Sequence, residues 1–138
     1  MSRKKARDYA YKLVFEWLFN RESGEQSPTM DSIFEDSEIT VSDKDYIRNV
    51  VEGIQANYDD LCVLIEQNSR NFKIDRIFKP DLAALLLSSF ELKFMPDIPP
   101  AVSISEILDI VKTYSTPESH VFVNGVLAGI YKQLGRKE

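Results

Sequence analysis

The chain has 138 residues, 43% of them hydrophobic and 28% charged, with a net charge of −5; that is enough apolar material for one sizeable core, and the balance is that of a globular chain. One cysteine and one histidine exclude an internal disulfide and a cysteine- or histidine-rich metal cluster. No apolar run approaches the ~20 residues that span a bilayer, and no signal-peptide pattern opens the sequence, so the expectation is a soluble, cytoplasmic, single domain over 1–138.

A first helix is expected over residues 4–20. Ala6, Ala10, Leu13, Val14, Trp17 and Leu18 fall at helical spacing and make one buried face. A second stripe, Arg3, Arg7, Tyr11 and Phe15, advances in steps of four; it is cationic at its start and aromatic at its end. Arg3, Lys4, Lys5, Arg7 and Lys12 are opposed only by Asp8 in this stretch, while the rest of the chain is acidic. A basic arm on an acidic body holds a nucleic-acid segment locally and repels it elsewhere. Neighbouring rings, here Tyr11 or Phe15, can stack on unpaired bases. The plainer reading of the same stripe is a solvated charge cluster beside ordinary core aromatics.

Residues 20–42 are the least regular part. Arg21 to Gly24 and Gln26-Ser27-Pro28 read as loop, with a short helix around Met30, Ile33 and Phe34. Ser42-Asp43-Lys44-Asp45 resembles a capping box. It opens one long amphipathic helix with Ile47, Val50, Val51, Ile54, Tyr58, Leu61 and Ile65 on one face. Gly53 interrupts that helix, and a close neighbouring helix backbone is the expected reason. Cys62 lies in an apolar run and reads as a buried thiol. A shorter helix is expected from Asn68 to Lys79. Pro80 then suits a first helical position, with Asp81 complementing the dipole of a helix that is apolar on most sides through Phe94.

Pro96 to Pro100 is a stiff turn, and Ser103-Ile104-Ser105-Glu106 is the candidate cap of the next helix. Thr116-Pro117-Glu118 is a strong helix start, and Gly135 with Arg136 and Lys137 a clean stop. Gly125 and Gly129 are four apart, which predicts a close helix approach on that face and overpacking by Gly125→Leu. No segment alternates as a strand does. The expectation is an all-α protein of about six or seven helices.

Catalytic patterns are missing from the sequence. There is no glycine-rich phosphate loop, and no His–Cys or Ser–His–Asp set with a plausible base beyond His120. Asp59 and Asp60 are adjacent and diverge around a helix, so they read as solvated charges. The residues favour a binding surface, with no catalysis, no cofactor and no metal.

The segment Ser119-His120-Val121-Phe122-Val123-Asn124-Gly125-Val126-Leu127 resembles the FVNGVL signature of the NusB family. The stretch from Ile98 to Lys112 is similar to that family's proline-proline segment and following helix, Phe90-Glu91-Leu92 to its Y-E-L, and Arg3 to Arg7 to its basic first helix. The match runs in order along nearly the whole chain. It implies a two-bundle helical fold and binding of boxA-type single-stranded RNA jointly with the ribosomal protein NusE. The setting it implies is the transcription elongation complex, in antitermination on ribosomal RNA operons. On the family's pattern the RNA contacts fall on Arg3, Lys4, Lys5, Arg7, Phe15, Glu118 and Phe122, and the protein contact on Asp81. Charge reversal at Arg3 and Arg7 is then expected to weaken RNA binding and leave folding nearly intact. The chain departs from the pattern at Ser105, Ile107 and Val111, and at Ser88, where an arginine is usual; loss of that arginine bears on the partner surface. Two alternatives are a helical protein-interaction module without RNA binding and a stand-alone relative of the RNA-binding domain of RNA methyltransferases.

Overall fold

A computed structural model describes residues 3–23, 29–35, 38–70 and 72–135. Among them are seven α-helices: α1 (Arg3–Ser23), α2 (Thr29–Phe34), α3 (Val41–Ala56), α4 (Tyr58–Asn68), α5 (Lys79–Phe94), α6 (Pro100–Tyr114) and α7 (Pro117–Leu134), with a short 3₁₀ turn at Ile74–Arg76. Of the loop expected at Arg21 to Gly24 and Gln26 to Pro28, Arg21 to Ser23 instead continue α1, and residues 24–28, the Met30 side chain, and Arg136 and Lys137 lie outside the described residues.

Helix α5 organises the molecule. From Asp81 to Leu92 every side chain is buried, as an all-round apolar helix requires. On one side it packs with α1 and α3, and on the other with α4, α6 and α7, so two helical bundles share it. Pro80 stands in its first turn, where no N–H is needed. The last helix also starts as its residues dictate: the Thr116 hydroxyl accepts from the Ser119 N–H at 3.1 Å, and Gly135 ends it in the left-handed region at φ 67°.

Four local expectations are corrected. The long helix of the middle region is two helices, broken at Asn57. The Asn57 side-chain amide donates to the Gly53 carbonyl at 2.8 Å, and Asp59 and Asp60 stand in the first turn of α4, where carboxylates favour a helix start. The cap of α3 is Thr40, whose hydroxyl accepts from the Asp43 N–H, two residues ahead of Ser42. The cap of α6 is Pro99; Ser103 is inside the helix and fully buried, sharing a 2.9 Å hydrogen bond with Ser88 of α5. The position where an arginine is usual is therefore core in this chain. Finally, Asn68 to Lys79 is mostly irregular, because α4 closes at Ser69 and the Glu66 carboxylate takes the Ile74 N–H at 2.8 Å.

The glycines divide. A Cβ on Gly53 would lie 2.4 Å from the Phe90 ring, so what demands a glycine there is a ring of α5 and not a backbone. A Cβ on Gly129 would lie 2.5 Å from the Asn68 amide oxygen, which is the expected close approach. At Gly125 a Cβ would meet nothing within 4 Å, so overpacking is not expected there.

Candidate nucleic-acid interface

The stripe Arg3–Arg7–Tyr11 does not face solvent as a unit. Helix α1 is rotated so that the stripe turns progressively into the body. Arg3 is still exposed, but its Nε donates to Asp43 Oδ1 at 3.2 Å, and its guanidinium lies 4.4 Å from the centroid of the Tyr46 ring. Arg7 is in the core, 3% exposed, with Nε donating to Glu91 Oε2 at 2.9 Å; Glu91 itself is fully buried. The Tyr46 hydroxyl donates to the same Glu91 oxygen. Burial opposes the charge on Arg7, but Tyr46 and Glu91 outweigh it and hold the guanidinium above its ordinary pKa. Burial first, and then the Glu91 charge, push the Tyr46 phenol upward. This group ties α1, α3 and α5 together, so Arg7 is corrected from an RNA contact to a structural cation.

Tyr11 is also buried. Its hydroxyl donates to the Pro80 carbonyl at 3.0 Å, and its ring stacks on Tyr114 with centroids 5.5 Å apart. The face of α1 that reaches solvent is one residue round the helix: Lys4, Asp8, Lys12 and the half-buried Phe15. Lys4 Nζ lies 3.3 Å from Asp109 Oδ2 and 3.8 Å from Glu106 Oε2, at the edge of α6. Lys5 is exposed beside it and, with Lys112, lines the shallow cleft between α1 and α6. Exposed ion pairs of this kind are worth under about 1 kcal/mol, so Lys4 can exchange its carboxylates for a phosphate at small cost.

At the start of α7, Glu118 is exposed, and the half-buried Phe122 meets Phe72 edge-on at 5.4 Å. Asp81 does not present its carboxylate outward. It is 5% exposed and accepts from the Ser115 and Ser119 hydroxyls, each at 2.8 Å. Its role in the structure is to pin the first turn of α7 to that of α5, which corrects its assignment as a partner-facing group. Through this link the first turn of α7, which carries Glu118, is set beside the head of α5.

Sequence reasoning missed Glu91 and Tyr46, the partners that take Arg7 inside. A glutamate in the middle of an otherwise apolar helix was the available signal, since a buried acid demands a cation or a proton. It also gave no surface role to Tyr114 or Phe19, which with Lys12 join Tyr11, Phe15, Glu16, Asn20 and Pro80 around an open groove. Among the described residues no cluster of potential metal ligands occurs, and no helix is long and apolar enough to cross a membrane.

The comparisons agree with this architecture. A profile of the NusB family matches residues 4–132. The chain is 38% identical over 134 residues to "Transcription antitermination protein NusB" of Clostridium novyi, covering 96% of this chain and 99% of that one. It is 39% identical over 130 residues to the protein of the same name from Listeria monocytogenes, covering 94% and 96%. Among solved structures, NusB of T. maritima superposes with a TM-score of 0.85 at 30% identity, over 96% of this chain and 92% of that one. The crystal structure of antitermination factors NusB and NusE in complex with dsRNA gives a TM-score of 0.81 at 28% identity, over 95% and 96%.

Proposed function

The chain belongs to the NusB family, and from that premise we propose that it is a transcription antitermination factor. It binds boxA-type single-stranded RNA together with the ribosomal protein NusE, acts within the cytoplasmic elongation complex to sustain ribosomal RNA transcription, and performs no chemistry of its own. The observation that carries this reading is the end-to-end likeness to relatives named for antitermination, at 38% identity over 134 residues. A NusB structure solved with NusE and RNA shares its fold, which supports both partners.

The surface left for RNA is Lys4 and Lys5 at the head of α1, with Arg3 at its edge, then Phe15, and Glu118 and Phe122 at the start of α7. Lysines there neutralise phosphates, and the rings receive unpaired bases. Phosphate contacts by Lys4 and Lys5 set register, while the rings favour single strands over duplex.

A second reading, a helical protein-interaction module without RNA binding, is favoured by one observation: Arg3, Lys4 and Arg7 each already hold an acidic side chain. Transcription through a boxA-bearing ribosomal RNA leader separates the two. Readthrough of a downstream terminator is expected to rise only when both this protein and NusE are added. Readthrough indifferent to the protein overturns the proposal.

A further inference from the structure

Two cations at the head of α1 are held in different ways. Lys4 reaches carboxylates that are open to solvent; the Asp109 side chain is 51% exposed. Arg3 reaches Asp43, whose side chain is only 7% exposed. Asp43 stands in the first turn of α3, where the helix dipole stabilises a carboxylate. The Arg3 Nε donates to Asp43 Oδ1 at 3.2 Å, and its Nη2 donates to Ser42 Oγ at 3.3 Å. The guanidinium also lies against the Tyr46 ring, 4.4 Å from its centroid. That ring cannot shift freely. It is buried, its hydroxyl donates to Glu91, and Glu91 is paired with Arg7. The buried network of α1, α3 and α5 thus ends at the surface in one immobilised guanidinium.

We propose that Asp43 is a positioning residue for RNA, holding Arg3 on the Tyr46 ring in the orientation that turns its terminal N–H groups to a phosphate. This inference rests on the RNA-binding reading above and adds to it a residue of α3 that touches no RNA itself.

Two observations make Asp43 a holder and not a competitor of the phosphate. The first is the donor inventory. A guanidinium carries five N–H donors. Helix α3 engages one on Nε and one on Nη2. Among the described residues the other three are left, all on the terminal nitrogens that make the fork for a phosphate. The second is the contrast in burial across the pair, 40% exposure for the Arg3 side chain against 7% for Asp43. An exposed pair exchanges partners at small cost, as at Lys4. Releasing Arg3 would instead leave a buried carboxylate without its cation, which costs far more. Arg3 therefore meets RNA while still held. An arginine loose in solvent gives up its rotamer freedom on binding, and one already held does not.

The test is titration of the full chain into fluorescently labelled boxA-type RNA, read by anisotropy. The proteins are wild type, Asp43→Ala, Asp43→Asn, Arg3→Ala and the double variant Arg3→Ala, Asp43→Ala. Charge alone predicts tighter RNA binding whenever a nearby carboxylate is removed. Positioning predicts the opposite sign for Asp43→Ala, a loss of between about 2-fold and about 12-fold, the factor that ordering one long side chain costs. Asp43→Asn keeps an acceptor for the Arg3 Nε and is expected to bind at least as tightly as wild type. In the Arg3→Ala background, Asp43→Ala is expected to cause no further loss, because the two act as one unit. RNA binding by Asp43→Ala as tight as wild type or tighter overturns the positioning role. The same loss from Asp43→Ala with and without Arg3 also overturns it, by tracing the effect to the fold of α3, and so does wild-type affinity in Arg3→Ala. Each of these results leaves the RNA-binding reading standing; a wild type that binds no RNA overturns both.

Discussion

Arg7→Met removes the cation from a carboxylate that is fully buried, 2.9 Å from it. Glu91 then has only the Tyr46 hydroxyl donating to Oε2, and it must either stay charged without its cation or take up a proton. Breaking a buried pair from one side costs roughly 3–5 kcal/mol. For 138 residues, an unfolding entropy of about 2.1 cal/mol/K per residue gives about 0.29 kcal/mol/K in total, so the melting temperature is expected to fall by about 10–17 °C. Arg7→Glu, which places two carboxylates in the same site, is expected to be worse. The double variant Arg7→Met, Glu91→Leu removes the uncompensated charge and is expected to recover most of the loss. Circular dichroism melts of the four proteins without RNA measure this. A drop below about 3 °C for Arg7→Met would refute the burial argument. The expectation from sequence, that reversing Arg3 and Arg7 spares the fold, is reversed for Arg7.

Gly53→Ala and Gly125→Ala should move stability in opposite directions. The first drives a methyl into the buried Phe90 ring and is expected to cost about 1–3 kcal/mol, while the second meets open space and is expected to gain about 0.5–1 kcal/mol; urea midpoints give both signs. Asp81→Ala removes the acceptor of two hydroxyl bonds and is expected to cost about 2–4 kcal/mol, with hydrogen exchange quickening first in the opening turn of α7. At high pH, burial pushes Tyr58 up to about 12, with Cys62 adding to it, and drives Tyr46 and Tyr11 upward as well. Folding therefore retains protons that the unfolded chain releases near pH 10. The stability these phenols contribute is complete below that pH and is lost as pH rises toward their folded values. A tyrosinate absorbance titration is expected to show part of the six tyrosines ionising late in native protein and together in urea; coincident curves would contradict this.

Helices with strong local chemistry were legible from sequence. Pro80, Thr116-Pro117 and Gly135 act within a single turn, so their residue types are sufficient to place the ends of α5 and α7. Helical spacing along the chain carried the all-α class, and the resemblance at Phe122 to Leu127 added the two-bundle arrangement. What escaped the sequence depends on partners distant in the chain. The Arg3–Arg7–Tyr11 stripe and the Lys4–Asp8–Lys12 stripe are one residue apart, and only the packing of α1 on α3 and α5 decides which is buried. Ser103 looked like a cap because its bond to Ser88 crosses between two helices. Asp81 looked like a surface carboxylate because both of its donors lie over thirty residues away. Asn57 was a local signal that was readable, since an asparagine with two aspartates, Asp59 and Asp60, in the turn that follows is a helix start.

The most direct test of the central claim is calorimetric titration of boxA-type RNA into the protein with and without NusE, for wild type and for Lys4→Glu, Lys5→Glu, at two salt concentrations. Saturable binding is expected, tighter by at least about 5-fold with NusE present, and linkage requires RNA to strengthen NusE binding by the same factor. The charge-reversed protein should bind more weakly and with a shallower salt dependence. Equal affinities for wild type and variant at both salts, or no effect of NusE, would contradict the account.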